Sequence, residues 1–457
     1  MQMNWLWGYF IPIGMLLLTW GGLSPRKARR VTPLAALAVA VAILGYWAVG
    51  YAFHLGGAYA LNPNEPELKG LDLIWSPLDK TAGPGWGVIG LAGFFLTGDE
   101  VTPTFFSLFL TYLPLVATAV FLAVLALADV RRWMMVAAGG LLGAIVVPLA
   151  ACWAWGGGWL AKLGITLELG HGFVDFGGSA VILWVPAMMV MGLLLFQERR
   201  LPEESNSLPP AYFPLLANLG TLFLGLGWTG WALSAPFHTS GALLDLNRTA
   251  VNLFLGLAGA VLTSQLYAWL VTGELEPLLA ARGAAAGWCA LLAGAPFLPP
   301  WAALVVGLFA GLLAPLALYV ANGVLRLKDS AAAAVLGLMG GAWGVLSVAI
   351  FADGRWGQGW NGADVAGGVR GLFVGSGGQL LAQLVGLVVL GLWGFAWGAL
   401  LAQIARMAGP HEPKPAPVLE PADLDAEGVT LDAVAIEGVI PDEAAAEDVS
   451  PSDLPQE

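Results

Sequence analysis

The sequence predicts an all-α polytopic membrane protein, and three observations predict it. Hydrophobic residues make up 58% of the 457 residues and charged ones only 11%, with mean hydropathy +0.76, far outside the usage of soluble domains. The apolar residues gather into about eleven stretches, most near the ~20 residues a helix needs to cross a hydrocarbon core. Glycine fills 62 positions, and small residues let membrane helices approach closely where apolar burial gives no driving force. An odd count of about eleven allows two inverted five-helix halves plus one extra helix, a plan that puts a solute path between the halves.

The first stretch, Trp5 to Leu23, has no basic region before it, and the S-P-R-K-A-R-R after it is no small-residue cleavage site. It reads as a retained helix. Arg26, Lys27, Arg29 and Arg30 place its far end in the cytoplasm and the N-terminus outside. A second stretch, about Thr32 to Phe53, returns outward, followed by a long polar loop (Asn62 to Gly85) and a short apolar piece (Trp86 to Leu96) on the outer side. The remaining stretches run Pro103 to Ala128, Trp133 to Trp155, Phe176 to Phe196, Pro210 to Leu233, Ala250 to Val271, Gly283 to Phe297, Trp301 to Leu325, Ala331 to Phe351 and Leu372 to Met407. So assigned, thirteen lysines and arginines lie inside and six outside, the bias expected of a protein in the cell (plasma or inner) membrane.

The net charge of −12 does not advertise a basic partner. From Glu412 onward thirteen acids face the single base Lys414, so the rest of the chain is neutral. Two units are therefore expected: a membrane domain, residues 1–408, and an acidic tail, 409–457. Rich in Pro and Ala and without an aromatic residue, the tail reads as a solvated, disordered cytoplasmic extension. Its spaced aliphatics, such as Val434 and Ile436, offer at most a weak docking motif.

Enzyme chemistry finds no foothold. HExxH, GxSxG, P-loop and dinucleotide fingerprints are missing in any usable context. The two cysteines, Cys152 and Cys289, read as packed core residues. The four histidines, His54, His171, His238 and His411, are too scattered for a metal cluster, and no cofactor, metal or nucleic acid is expected. His54 and His238 read as satisfied interface histidines, and Asn252, Gln379 and Gln383 as interhelical hydrogen-bond partners.

The stretch Trp155 to Leu183 stands apart. It joins two apolar runs through a glycine-rich turn and sets one carboxylate, Asp175, at the mouth of the second run. An ionisable residue at the edge of hydrocarbon is a functional-site candidate by default. The plainer reading is a helix cap, its carboxylate accepting backbone N–H groups at the positive end of the macrodipole. Ser179 follows on the same helical face, then Leu183, an inert alkyl group. If this face lines a pore, its middle cannot exchange protons.

Several motifs resemble the ammonium transporter, methylamine permease and Rhesus glycoprotein family, in order and over residues 1 to about 408. I-P-I-G-M-L-L-L-T-W-G-G-L is similar to that family's first helix and G-Y-A-F-H-L-G to the end of its second. W-G-G-G-W-L at Trp155 and D-F-G-G-S at Asp175 resemble W-x-x-x-G-W-L and D-F-A-G-G. G-W-T-G-W at Gly227, N-R-T-A-V-N at Asn247 and G-Q-L-L-A-Q-L-V-G at Gly378 match the sixth, seventh and last helices. The resemblance implies the ammonium transporter fold, a homotrimer in the lipid bilayer, and a substrate among ammonium, ammonia or another small solute such as carbon dioxide.

The departures are as informative. The family places a pore histidine eight residues after the aspartate, where this chain has Leu183, and a second in a block whose counterpart here is Gly337. Of the outer vestibule, the resemblance keeps Trp155, puts Trp231 at the gate phenylalanine of the sixth helix, and puts Ala235, beside Ser234, at the serine. The aromatic gate of the third helix falls at Pro114 or Leu115. The expectation is a channel passing a neutral solute without the histidine relay. A non-conducting membrane sensor or assembly partner of the same fold is the alternative.

Overall fold

The computed structural model describes residues 4–63, 65–196, 212–324, 334–363 and 365–409. The expected disordered tail lies outside the described residues. Among these residues a helix falls on each of the predicted apolar stretches: α1 (Trp5–Trp20), α2 (Lys27–Ala60), α3 (Pro103–Ala126), α4 (Arg132–Ala154), α5 (Ser179–Phe196), α6 (Tyr212–Leu233), α7 (Leu246–Thr272), α8 (Pro277–Leu291), α9 (Pro300–Val324), α10 (Val335–Phe351) and α11 (Gly377–Met407). Seven of them are long and apolar enough to cross a membrane, while α1 and α10 are shorter apolar helices.

The boundaries depart from expectation where capping decides them. α8 starts at Pro277, six residues before the predicted Gly283, because the Glu276 carboxylate accepts the backbone N–H groups of Leu278 and Leu279. The apolar piece from Trp86 to Leu96 is no membrane element. It contributes β2 (Ile89–Gly90), which pairs antiparallel with β1 (Ile74–Trp75) in the loop after α2.

The packing pairs repeat with an offset of five helices: α2 lies against α4 as α7 lies against α9, and α1 against α3 as α6 against α8. Helix α1 packs along α6, and α5 crosses α10, so these two contacts join the halves. The extra helix α11 runs along α5, where Gly394 and Gly398 lie directly on the α5 backbone at Val185 and Met189.

At the α5–α10 crossing a Cβ on Gly337 would stand 2.7 Å from the Leu183 carbonyl, and one on Gly341 2.6 Å from the Ser179 carbonyl. Only glycine permits this approach. Both helices are π-wound at the crossing, over Ser179–Trp184 and Ala334–Gly341. In α5, Pro186 supplies the cause, since its ring has no N–H to bond the carbonyl four residues back and crowds it.

Candidate functional site

Between α4 and α5 the chain makes one helical turn, Leu163–Thr166, and then re-enters the interior from His171 to Asp175 in irregular form, where its backbone groups need partners. Three amide side chains provide them. Gln379 accepts from the His171 N–H and donates to the Gly172 carbonyl, at 3.0 and 2.8 Å. Gln383 does the same for Val174 at 2.7 and 2.8 Å, and Asn361 donates to the His171 and Phe173 carbonyls, both at 2.9 Å. Both glutamines, expected to bridge helices, brace a loop against α11, and Gln383 also bridges to α10 by donating to the Val345 carbonyl at 3.3 Å. Asn252 ties the end of α8 to α7 through the Ala295 and Leu298 carbonyls.

Asp175 ends this loop, 1% exposed. Its carboxylate accepts from Gly178 at 3.1 Å and from Ala180 and Val181 at 3.0 Å, so it caps α5. Burial raises its pKa to about 6, against the pull of these amides. Its carbonyl accepts the Trp155 indole N–H at 2.7 Å, which fixes that ring. Ser179 is equally committed: its hydroxyl donates to the Cys289 carbonyl at 2.8 Å and accepts from Ala293 at 2.9 Å, pinning α5 to α8.

Around Trp155 the structure gathers an aromatic cluster. Trp231 is held by its indole N–H on the Thr111 carbonyl at 3.0 Å. The Tyr112 ring lies 6.0 Å from Trp155 and 6.4 Å from Trp231. His238, from the turn between α6 and α7, stacks on Trp155 at 4.8 Å and 17° and on Trp231 at 5.9 Å and 28°. His54 of α2 lies edge-on to Tyr112 at 4.8 Å, with Nδ1 3.0 Å from the Tyr46 hydroxyl. Trp360 closes the group 6.0 Å from His238.

The His238 tautomer follows from its partners. Nε2 lies 2.8 Å from the Phe176 carbonyl, which only accepts, so Nε2 carries the proton. Nδ1 therefore accepts from the Tyr112 hydroxyl, 2.8 Å away, and the same hydroxyl accepts the His238 backbone N–H at 3.2 Å. Burial pushes the ring's pKa down to about 4, the Phe176 bond working the other way, so the imidazole is neutral at physiological pH. A cavity of about 320 Å³ adjoins it on the loop side, lined by Leu61, Asn62, Ser240, Gly241 and Asn361 as well as His238.

The residues singled out in sequence thus divide. Trp155, Trp231 and the Asp175 backbone come together in the cluster. Leu183, fully buried, and Gly337 meet at the α5–α10 crossing. Ser234 turns its hydroxyl back to the Trp231 carbonyl at 2.6 Å, and Ala235 sits exposed in a left-handed conformation, φ 50°. On α3 the aromatic that reaches the cluster is Tyr112, whereas Leu115, one of the two positions to which the resemblance pointed, is packed in the core. His238 lies in no motif, and its one signal was its place between Pro236 and Gly241 in a turn, whereas His54 sits within G-Y-A-F-H-L-G, where the resemblance gives the histidine no role.

Apolar helices joined through glycines, a braced internal loop and a buried aromatic cluster at one end of the bundle define a multi-pass helical membrane protein with an internal site. The sequence model described as Ammonium Transporter Family matches residues 3–410. The chain belongs to the ammonium transporter family, whose members are membrane transporters and not enzymes. Its relatives include Ammonium transporter Amt2 of Archaeoglobus fulgidus, 25% identical over 87% of this chain and 80% of that protein. Ammonium transporter 3 of Dictyostelium discoideum is 27% identical over 85% and 83%. Among solved structures, one described as Sensor Amt Protein superposes with a TM-score of 0.69 over 89% of this chain and 94% of that one. Mep2 of Saccharomyces cerevisiae gives 0.67 over 89% and 88%. At 22% identity both likenesses speak for the fold.

Proposed function

We propose that this chain passes ammonia, or another small solute in uncharged form such as carbon dioxide, through a central apolar path with no histidine proton relay. Ammonium is recruited at the aromatic cluster of Trp155, Trp231 and Tyr112, and its proton stays on that side. The observation that carries this reading is that α5 and α10, which cross at Leu183 and Gly337, have no titratable side chain anywhere along their length. A relay needs groups that donate and accept near neutral pH, and leucine and glycine do neither. A bare cation between apolar helices costs several kcal/mol or more, whereas ammonia costs little. In proteoliposomes, an inward ammonia gradient should alkalinise the lumen faster than in empty vesicles without evoking current. A saturable ammonium current on a charged-membrane electrode defeats the proposal.

A second reading, a non-conducting sensor or assembly partner, is favoured by one observation: the His238 ring occupies stacking surface on both tryptophans. It requires ammonia flux at the level of empty liposomes. Under either reading we place the protein in the cell membrane as a homotrimer, N-terminus outside and the acidic tail, 409–457, in the cytoplasm. The apolar side chains exposed on α7, such as Leu262 and Leu270, leave ample surface for lipid or neighbouring subunits.

A further inference from the structure

We infer that His238 is a tethered stopper of the aromatic cluster. Its imidazole stands where an arriving ammonium ion would stack, and the turn that carries it must swing into the adjoining cavity before solute reaches Trp155 and Trp231. The inference rests on the proposed reading of this cluster as the entrance.

The geometry of substitution is close. A monovalent cation binds an indole by lying over its face within about 6 Å of the ring centre. The His238 ring lies near-parallel over Trp155 and Trp231 at 4.8 and 5.9 Å, so those surfaces are taken. Its Nε2–H donates to the Phe176 carbonyl as an ammonium N–H would, and its other nitrogen engages the Tyr112 hydroxyl. Withdrawing the ring leaves a carbonyl, a hydroxyl and two indole faces converging on one point, the acceptor set of a small N–H cation. Beside the cluster His54, whose ring lies 4.8 Å from Tyr112 and 6.1 Å from Trp155, has its Nε2 buried without a hydrogen-bond partner among the described residues. That nitrogen, in the tautomer that leaves it unprotonated, is one more acceptor for an N–H cation.

The turn is built to move as a unit. It is flanked by two residues in the left-handed region, Ala235 (φ 50°) and Gly241 (φ 82°), and a Cβ on Gly241 would meet nothing within 4 Å. A non-glycine residue held left-handed is strained, and leaving that conformation relieves it. Outside the cluster the turn is tied across by the Ser240 hydroxyl on the Asn62 side-chain oxygen, at 2.8 Å and exposed. The 320 Å³ cavity begins at His238 itself, so the ring has room to enter it.

The test uses the full-length protein in proteoliposomes and in detergent, with methylammonium as the binding probe. His238→Ala should raise ammonia-driven alkalinisation severalfold and tighten saturable methylammonium binding, read by calorimetry, at least tenfold. A disulfide between Asn62→Cys and Ser240→Cys should hold the turn shut and bring flux to the empty-vesicle level, with reductant restoring it; the native Cys152 and Cys289 are buried and do not interfere. If wild type conducts while His238→Ala changes neither flux nor binding, or the oxidised pair conducts like the reduced one, the stopper is overturned and the conduction reading stands. If no variant conducts but His238→Ala gains binding, the stopper stands and the conduction reading falls. If His238→Ala does not fold, the oxidised and reduced cysteine pair decides alone.

Discussion

Two buried polar residues are held in opposite ways. Asp175 keeps its carboxylate on three amides at the start of α5, so Asp175→Ala leaves those donors without partners inside the protein. We expect a loss of about 2 kcal/mol for this change and less for Asp175→Asn, read as a lowered thermal transition in detergent. His238 instead keeps its ring neutral. With its folded value near 4 and an ordinary unfolded value near 6.5, the ring's contribution is fully present above pH ~6.5 and is lost as pH falls toward 4, on the order of 3 kcal/mol in all. Tyr112 and His54 are the titratable groups whose rings lie against that cluster, and both are uncharged when neutral. Nitrogen NMR of His238 should show a neutral imidazole at pH 6; a midpoint near 6.5 would mean a solvated ring. Trp155, Trp231 and Asp175 were legible in sequence because each sits in a local motif. Tyr112 and His238 were not, since their placement depends on a helix turn before a proline and on a loop folding back.

The helices carry the next level of constraint. Two π-wound segments precede a proline closely, Leu142–Val146 before Pro148 and Ser179–Trp184 before Pro186. Hydrophobic runs located these helices well, but a run says nothing of winding; proline accompanies the wide turn in these two, while the π-wound start of α10 has none. At the α5–α10 crossing, steric room decides more than chemistry does. Since a Cβ on Gly337 already meets the Leu183 carbonyl, Leu183→His with Gly337→His cannot recreate a paired-imidazole site without prising the helices apart. Gly337→Leu should cost roughly 2 kcal/mol or more, and the double histidine variant should elute as aggregate on size exclusion. A stable, current-carrying double variant would show that the crossing is looser than its geometry. The cap at Glu276 and the β1–β2 pairing were illegible for a different reason: both are local hydrogen-bond choices in largely exposed connecting segments, which hydropathy does not resolve.

At the scale of the molecule, the order of apolar stretches gave away the helices and their paired halves, because membrane helices have few alternatives for burying their backbone. The acidic tail lies outside the described residues, and cutting the chain after Gly409 brings the formal charge from −12 to zero. The membrane domain should keep its thermal transition after that cut, measured by intrinsic fluorescence, whereas a drop of several degrees would tie the tail to the fold.

The separation of polar from apolar sections along the chain has an electrical consequence. His54, His171 and His238, the histidines among the described residues, lie at helix ends or in loops, and the α5–α10 crossing is apolar and uncharged. A transmembrane potential falls mostly across such a low-dielectric section, where each elementary charge moved through 100 mV takes up about 2.3 kcal/mol. A cation resting on the indoles stands before that drop, so its occupancy should barely respond to voltage.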